Sequence, residues 1–333
     1  MSDFGRIGII GGGAWGTALA ATVQRAGIRV RLWARESETV RSINERHENG
    51  IFLPGVMLDA AIEATDILSA AVSGADALIL VIPAQHMRKI ARAVREALPR
   101  SLPVVIATKG VEIATGALMG EVLAAELPGC PQAVLSGPTF AAEVARGLPT
   151  AVTLAAADPV LGSALVAALG TPSFRPYLSD DPIGCEIGGS VKNVLAIACG
   201  IVTGRGLGDN ARAALITRGL AEMTRLAVAK GGQRATLMGL SGLGDLTLTC
   251  TAMQSRNCSL GAALGRGEAL ETVLDGRKSV AEGVDSAIAV AALARSLDVD
   301  MPIVQAVEAI LHRGAAIDDE VRRLLSRPFR PEA

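Results

Sequence analysis

The sequence predicts an α/β fold: an N-terminal Rossmann-like, doubly wound, mostly parallel sheet followed by an all-α C-terminal half. Three observations carry that expectation. The chain opens on a β-branched run, residues 6–10, that meets Gly11-Gly12-Gly13-Ala14-Trp15-Gly16 and then an Ala- and Leu-rich helical stretch. Apolar strand-like runs then alternate with amphipathic helical ones as far as about residue 180. Beyond that point no convincing strand pattern remains, and helical periodicity takes over.

Taken in order, residues 28–33 read as a second strand, 77–82 as a third, 103–108 as a fourth, and 133–136 and 151–154 as a fifth and sixth. These runs are continuously apolar rather than alternating, which implies strands covered on both faces and hence a parallel sheet. Residues 87–97 place polar side chains on one face only, the mark of a crossover helix. The later helices are expected over 189–202, 210–230, 257–264, 284–296 and 303–313. The polar, proline-containing Ser179-Asp180-Asp181-Pro182 marks a junction, dividing the chain into 1–180 and 181–333. The arginine-rich tail from residue 322 is expected to fray.

Composition bounds the function. The chain has 333 residues, half of them hydrophobic, a net charge of −1 and only 2% aromatic residues. That is enough for two cores, and too few aromatics for a base-stacking nucleic-acid binder. No basic run invites a polyanion. The sparsely charged stretch 147–174 is broken by Asp158-Pro159 and lacks the roughly 20 apolar residues of a membrane span. The first strand begins almost at once, leaving no room for a signal peptide. The five cysteines show no C-x-x-C spacing, which fits free thiols in a reducing cytoplasm.

The glycine run reads as a dinucleotide fingerprint because it lies between strand and helix. Gly11 permits the tight turn, Gly13 lets the backbone approach a pyrophosphate, and Gly16 allows helix to pack on strand. An NAD site places an acid at the end of the second strand; here Ala34 and Arg35 stand there, with Glu36 one step on. An arginine at that position pairs with a 2′-phosphate, so NADP is favoured over NAD, although Glu36 could do the selecting instead.

In the second half, Lys192 and Asn193 interrupt a very apolar helix. Lys192 is either a lysine whose head reaches solvent or a buried general acid/base. Glycines around Asp245 suggest a turn that brings its carboxylate to a ligand. Ser255-Arg256-Asn257 at a helix head offers donors to a small phosphate ester, or is a simple N-cap.

Read together, these pieces resemble bacterial-type NAD(P)-dependent glycerol-3-phosphate dehydrogenases. The matching segments are Gly11-Gly-Gly-Ala-Trp-Gly-Thr-Ala-Leu-Ala20, Phe52-Leu-Pro-Gly55, Thr108-Lys-Gly110 and Ser136-Gly-Pro-Thr-Phe-Ala141. Lys192-Asn193, Asp209-Asn-Ala-Arg-Ala-Ala-Leu-Ile-Thr-Arg-Gly219, Gly242-Leu-Gly-Asp-Leu246, Ser255-Arg-Asn257 and Ala281-Glu-Gly283 complete an ordered set spanning nearly the whole chain. The resemblance implies hydride transfer between NAD(P)H and dihydroxyacetone phosphate, giving sn-glycerol 3-phosphate for phospholipid synthesis. It implies Lys192 as proton donor/acceptor, with Lys109, Gly137, Thr139, Asp245, Ser255, Arg256 and Asn257 at the substrate. Ala14, Trp15, Arg35, Lys109, Ala141, Arg256, Val280 and Glu282 match cofactor contacts. Ala14 replaces a serine common in the family, and Ser190-Val191 replaces a usual Ala-Leu.

Two other readings stand beside this one: a different two-domain hydroxyacid-type dehydrogenase, and a non-catalytic NADPH-sensing protein. The first expects a catalytic histidine–glutamate pair in the helical half, whereas of His47, His86 and His312 only His312 lies there, with no carboxylate next to it in sequence. A sensor needs no proton donor, whereas Lys109, Lys192 and Asp245 are all present. No cluster has metal-ligand spacing, so no metal is expected. The surplus of Ala and Leu in the helical half allows a homodimer.

Overall fold

The computed structural model describes residues 4–275 and 282–329. Strands β1 (Arg6–Ile10), β2 (Arg29–Trp33), β3 (Glu63–Thr65), β4 (Ala77–Leu80), β5 (Val104–Ile106), β6 (Gln132–Ser136), β7 (Thr150–Ala155) and β8 (Phe174–Ser179) form one eight-stranded sheet. Its order is β3-β2-β1-β4-β5-β6-β7-β8, with every pair parallel except β6 and β7. The crossover helices are α1 (Ala14–Arg25), α2 (Ser37–Arg46), α3 (Leu68–Val72), α4 (Met87–Ala97), α5 (Met119–Glu126), α6 (Ala141–Ala145) and α7 (Pro159–Leu169). The central strands β4 and β5 are buried along their whole length, as continuous apolar runs require. Strand order reverses between β1 and β4, and the glycine loop leaves the carboxyl end of β1 at that switch point.

Two strands escaped the sequence reading. β3 has three residues, too few for any periodicity to show. β8 carries Pro176, which a strand tolerates only where it lacks a neighbour on one side, and β8 is the last strand of the sheet.

After β8 the described chain is helical: α8 (Pro182–Gly204), α9 (Asp209–Ala229), α10 (Arg234–Leu237), α11 (Asp245–Thr251), α12 (Arg256–Gly265), α13 (Leu270–Asp275), α14 (Glu282–Ser296), α15 (Pro302–His312) and α16 (Ile317–Leu325). α8 begins at Pro182 rather than near residue 189. Pro182 sits in its first turn, and the Asp181 carboxylate caps it by accepting from Gly184 N at 2.8 Å. Asp181 is buried and also accepts from Gln233 N at 2.8 Å, so it anchors the junction.

Every residue of α8 from Gly184 to Val202 is buried, and the other helices wrap it. The helix is long and apolar enough to cross a bilayer by composition, yet its whole apolar window is buried within the fold. α12 packs on it backbone to backbone. A Cβ at Gly200 would fall 2.1 Å from Cys258 O, and one at Gly261 would fall 2.0 Å from Ile197 O. The scarcity of aromatics follows from such contacts, because small residues are what let the helices approach.

Two further expectations are corrected. Asp245 is not on an open turn: a single π-type turn, Leu240–Gly244, leads straight into α11, and Asp245 is fully buried in its first turn. A Cβ at Gly242 would strike Leu237 O at 2.1 Å, so that glycine serves close packing rather than ligand approach. The tail does not fray from residue 322, since α16 continues to Leu325 with Arg322 and Arg323 paired to Asp319 and Glu320. All five cysteines are free, and all but Cys130 are buried.

Candidate active site

The glycine loop is shaped by contacts that only glycine allows. Gly11 has φ +129°, and a Cβ there would fall 2.1 Å from Val81 O. A Cβ at Gly16 would fall 1.8 Å from Gly11 O, so this residue sets the approach of α1 to β1. A Cβ at Gly13 would meet nothing within 4 Å, leaving the loop open on the side of the α1 N-terminus. Ala14 is the first residue of α1. The Trp15 indole N–H is buried with no hydrogen-bond partner among the described residues. An open glycine face, a helix N-terminus and an unspent donor fit a dinucleotide pyrophosphate.

The sequence reading missed the buttress behind this loop. Asn49 is fully buried; its Nδ2 donates to Gly12 O at 2.9 Å and Thr17 Oγ1 at 2.7 Å, while its Oδ1 accepts from Phe52 N at 3.1 Å. The available signal was its place just before Phe52-Leu-Pro-Gly55.

At the end of β2, Ala34 is fully buried, packed so closely on the loop that a Cβ on Gly12 would fall 2.3 Å from the Ala34 Cβ. The first side chain able to face a ribose is therefore Arg35. It is 78% exposed and pairs with Glu36 at 2.7 Å.

Lys109, Lys192 and Asp245, remote in sequence, converge. Asp245 Oδ1 accepts from Lys192 Nζ at 2.6 Å, and Oδ2 from Lys109 Nζ at 2.7 Å. Lys192 Nζ also donates to Thr249 Oγ1 at 3.0 Å, one turn along α11, a partner the sequence reading missed. Lys109 Nζ lies 3.5 Å from Gly137 O. Lys109 leaves β5 through Thr108, whose hydroxyl donates to Ile82 O at 2.9 Å, and the next segment is held by the Arg88–Glu112 pair at 2.8 Å. Its stem passes α8 at Gly189, where a Cβ would stand 3.2 Å from Lys109 Cγ and from Ser136 Oγ. Ser136 Oγ is buried without a hydrogen-bond partner among the described residues.

Lys192 does not reach solvent: its side chain is 8% exposed. Burial lowers its pKa to about 8; the Asp245 carboxylate opposes the shift and the Lys109 ammonium adds to it. For Asp245, burial raises the pKa, but Lys109 and Lys192 outweigh it and keep the carboxyl below its ordinary value.

Ser255 caps α12, accepting from Cys258 N at 3.2 Å, so the N-cap reading holds for its side chain. Asn257 is spent internally: Nδ2 donates to Asn193 Oδ1 at 3.0 Å, and Oδ1 accepts from Gly283 N at 3.0 Å. This places the head of α12 beside Lys192, through Asn193. Arg256, the first residue of α12, is exposed at that end of the helix. Glu282, the first residue of α14, accepts from Asn193 Nδ2 at 3.5 Å. Gly137, with φ +152°, packs its backbone on Val152, and Thr139 Oγ1 donates to Gly137 O at 3.2 Å. Ala141 opens α6, and Val280 lies outside the described residues. Among the described residues no group of His, Cys, Asp and Glu could hold a metal.

Comparison with known proteins gives the family of the chain. The family model for the NAD-dependent glycerol-3-phosphate dehydrogenase N-terminus covers residues 6–161, and that for its C-terminus covers 181–322. A glycerol-3-phosphate dehydrogenase [NAD(P)+] of Rhodospirillum rubrum is 60% identical over 326 residues, 98% of this chain and 93% of that protein. One from Caulobacter vibrioides is 56% identical over 330 residues, 99% of each chain. The crystal structure of glycerol-3-phosphate dehydrogenase from Coxiella burnetii superposes with a TM-score of 0.93 at 41% identity, covering 97% of this chain and 99% of that one.

Proposed function

The chain belongs to the NAD-dependent glycerol-3-phosphate dehydrogenase family, and from that premise we propose how its residues interconvert dihydroxyacetone phosphate and sn-glycerol 3-phosphate with NAD(P). The sheet half, residues 1–180, holds the cofactor, and the helical half, 181–333, supplies the substrate's proton and grips its phosphate. When bound, the reduced nicotinamide supplies a hydride to the carbonyl carbon, which leaves negative charge on the oxygen. Every other step falls to the chain.

The observation that carries the reading is the hydrogen-bond count at Lys192 Nζ. An ammonium has three N–H donors. Asp245 and Thr249 take two, which aims the third and leaves it for the substrate oxygen. Lys192 protonates that oxygen in the reductive direction and accepts the alcohol proton in reverse. Lys109 adds positive potential, so two ammonium groups around one carboxylate leave a net positive site for the nascent alkoxide. Asp245 fixes both lysines and stays ionised. Arg256 and the α12 N-terminus hold the phosphate, and that remote binding orients the carbonyl.

Arg35 favours NADPH. Its exposed pair with Glu36 is worth little, about 1 kcal/mol or less, so the guanidinium is readily released to a 2′-phosphate. We place the activity in a reducing cytoplasm, in line with the free thiols, in a homodimer that feeds glycerophospholipid synthesis.

The test follows absorbance at the reduced-nicotinamide band with dihydroxyacetone phosphate, for wild type and Arg35→Ala. Wild type is expected to consume NADPH in preference to NADH, and the variant to lose about tenfold with NADPH alone, the share of one charge-assisted contact. Wild-type protein that turns over neither cofactor would sink the dehydrogenase reading. Equal losses with both cofactors would remove Arg35 from cofactor selection.

A further inference from the structure

One buried carboxylate has no part in the steps above. Glu186 shares α8 with Lys192 and is 7% exposed. Its side chain leaves the helical half and meets the first turn of α5. Gly120 N donates to Glu186 Oε1 at 2.9 Å. α5 is the next helix in the chain after Lys109. The side chain therefore ties the helix that carries Lys192 to the element that follows Lys109.

The fit is close. A Cβ on Gly120 would stand 3.1 Å from Glu186 Oε2, tighter than ordinary contact. Glu121 serves a different donor, returning to Leu118 N at 2.8 Å, so the Gly120 N–H in the first turn falls to Glu186 across the two halves. Burial is unfavourable for a carboxylate and pushes Glu186 up to about 7, against the pull of the Gly120 N–H and Lys230. An apolar side chain would avoid that penalty but would leave the Gly120 N–H without its acceptor.

We infer that Glu186 is a positioning residue: by accepting the Gly120 N–H in the α5 first turn, it sets α8, and with it Lys192 Nζ, against Lys109 and the cofactor half. This rests on the dehydrogenase reading. Catalysis is sensitive to such placement, since a shift of about 1 Å in the reacting groups lowers turnover by up to about a hundredfold.

The experiment uses the full-length enzyme, with steady-state rates for dihydroxyacetone phosphate and NADPH alongside thermal melting. Glu186→Ala is expected to lose about tenfold in kcat, with KM for NADPH within about twofold of wild type. Glu186→Gln keeps an acceptor oxygen and is expected to recover most of the loss. A group that only stabilises the fold would lower the melting temperature and leave kcat of the folded enzyme unchanged; that outcome overturns the inference. If Glu186→Ala does not fold, Gly120→Ala carries the test, because it favours the helix while displacing the carboxylate. A kcat for Gly120→Ala equal to wild type would equally overturn it. Wild type serves as the control: if it is inactive, the dehydrogenase reading has failed, whereas an active wild type with unchanged variants sinks only the role of Glu186.

Discussion

In the proposed mechanism the chemistry turns on the proton affinity of Lys192. A free lysine holds its proton to a pH of about 10.4, too tightly to exchange it readily with an alcohol near neutrality. Burial, with Lys109 nearby, lowers Lys192 to about 8, and Asp245 limits the fall so that the group is still protonated at neutral pH. Reduction needs the protonated lysine and oxidation the neutral one. The rate of reduction, as kcat/KM for dihydroxyacetone phosphate, is therefore expected to fall as pH rises through about 8. The rate of oxidation of sn-glycerol 3-phosphate should rise over the same range. The ratio kcat/KM is the quantity to follow because it reports the free enzyme. A limb close to the unperturbed lysine value in both directions would show that Lys192 is not tuned. At this scale the sequence was a partial guide. It marked Lys109, Lys192 and Asp245 singly, but their meeting at 2.6 and 2.7 Å depends on the tertiary fold. Thr249 bore no signal of its own, being one of three threonines in the seven residues of α11, with nothing in the sequence to single it out.

At the scale of the element, α8 is the axis. It needs a partner that approaches without side chains between the backbones, and Gly261 on α12 supplies that face. Gly261→Ala should destabilise the fold. Helix propensity would return about 0.5–1 kcal/mol, while forcing a methyl to within 2.0 Å of Ile197 O costs about 1–3 kcal/mol or more. A denaturant midpoint lowered at unchanged slope is the expected result, and an unchanged or raised midpoint would contradict this packing. Elements with strong periodicity were legible: the region read as a helix over 87–97 is α4, Met87–Ala97. Those that depend on neighbours were not. β3 exists because β2 offers an edge, and α11 begins where a turn seemed required because the π-type turn before it absorbs the glycines. Asn49 was missed for a similar reason, since its amide matters only once the loop it carries folds back under Gly12.

Across the whole molecule, the two halves meet at the chemistry. Lys109 comes from the sheet half, while Lys192 and Asp245 come from the helical half, so a single carboxylate joins the two family segments. The fold class was readable from alternation in the first half and helical period in the second. The proposed reaction was not readable from either half alone, because the proposal draws its hydride donor from one and its proton from the other. The central claim is that Lys192 supplies that proton from a site built by both. Its most direct test is the turnover of Lys192→Ala with dihydroxyacetone phosphate, set against the affinity of the same variant for NADPH. Losing a general acid costs about a hundredfold to ten-thousandfold in rate. The account predicts a loss of kcat of that order with NADPH affinity near wild type. Comparable losses in turnover and in cofactor affinity, or turnover that survives the substitution, would contradict it.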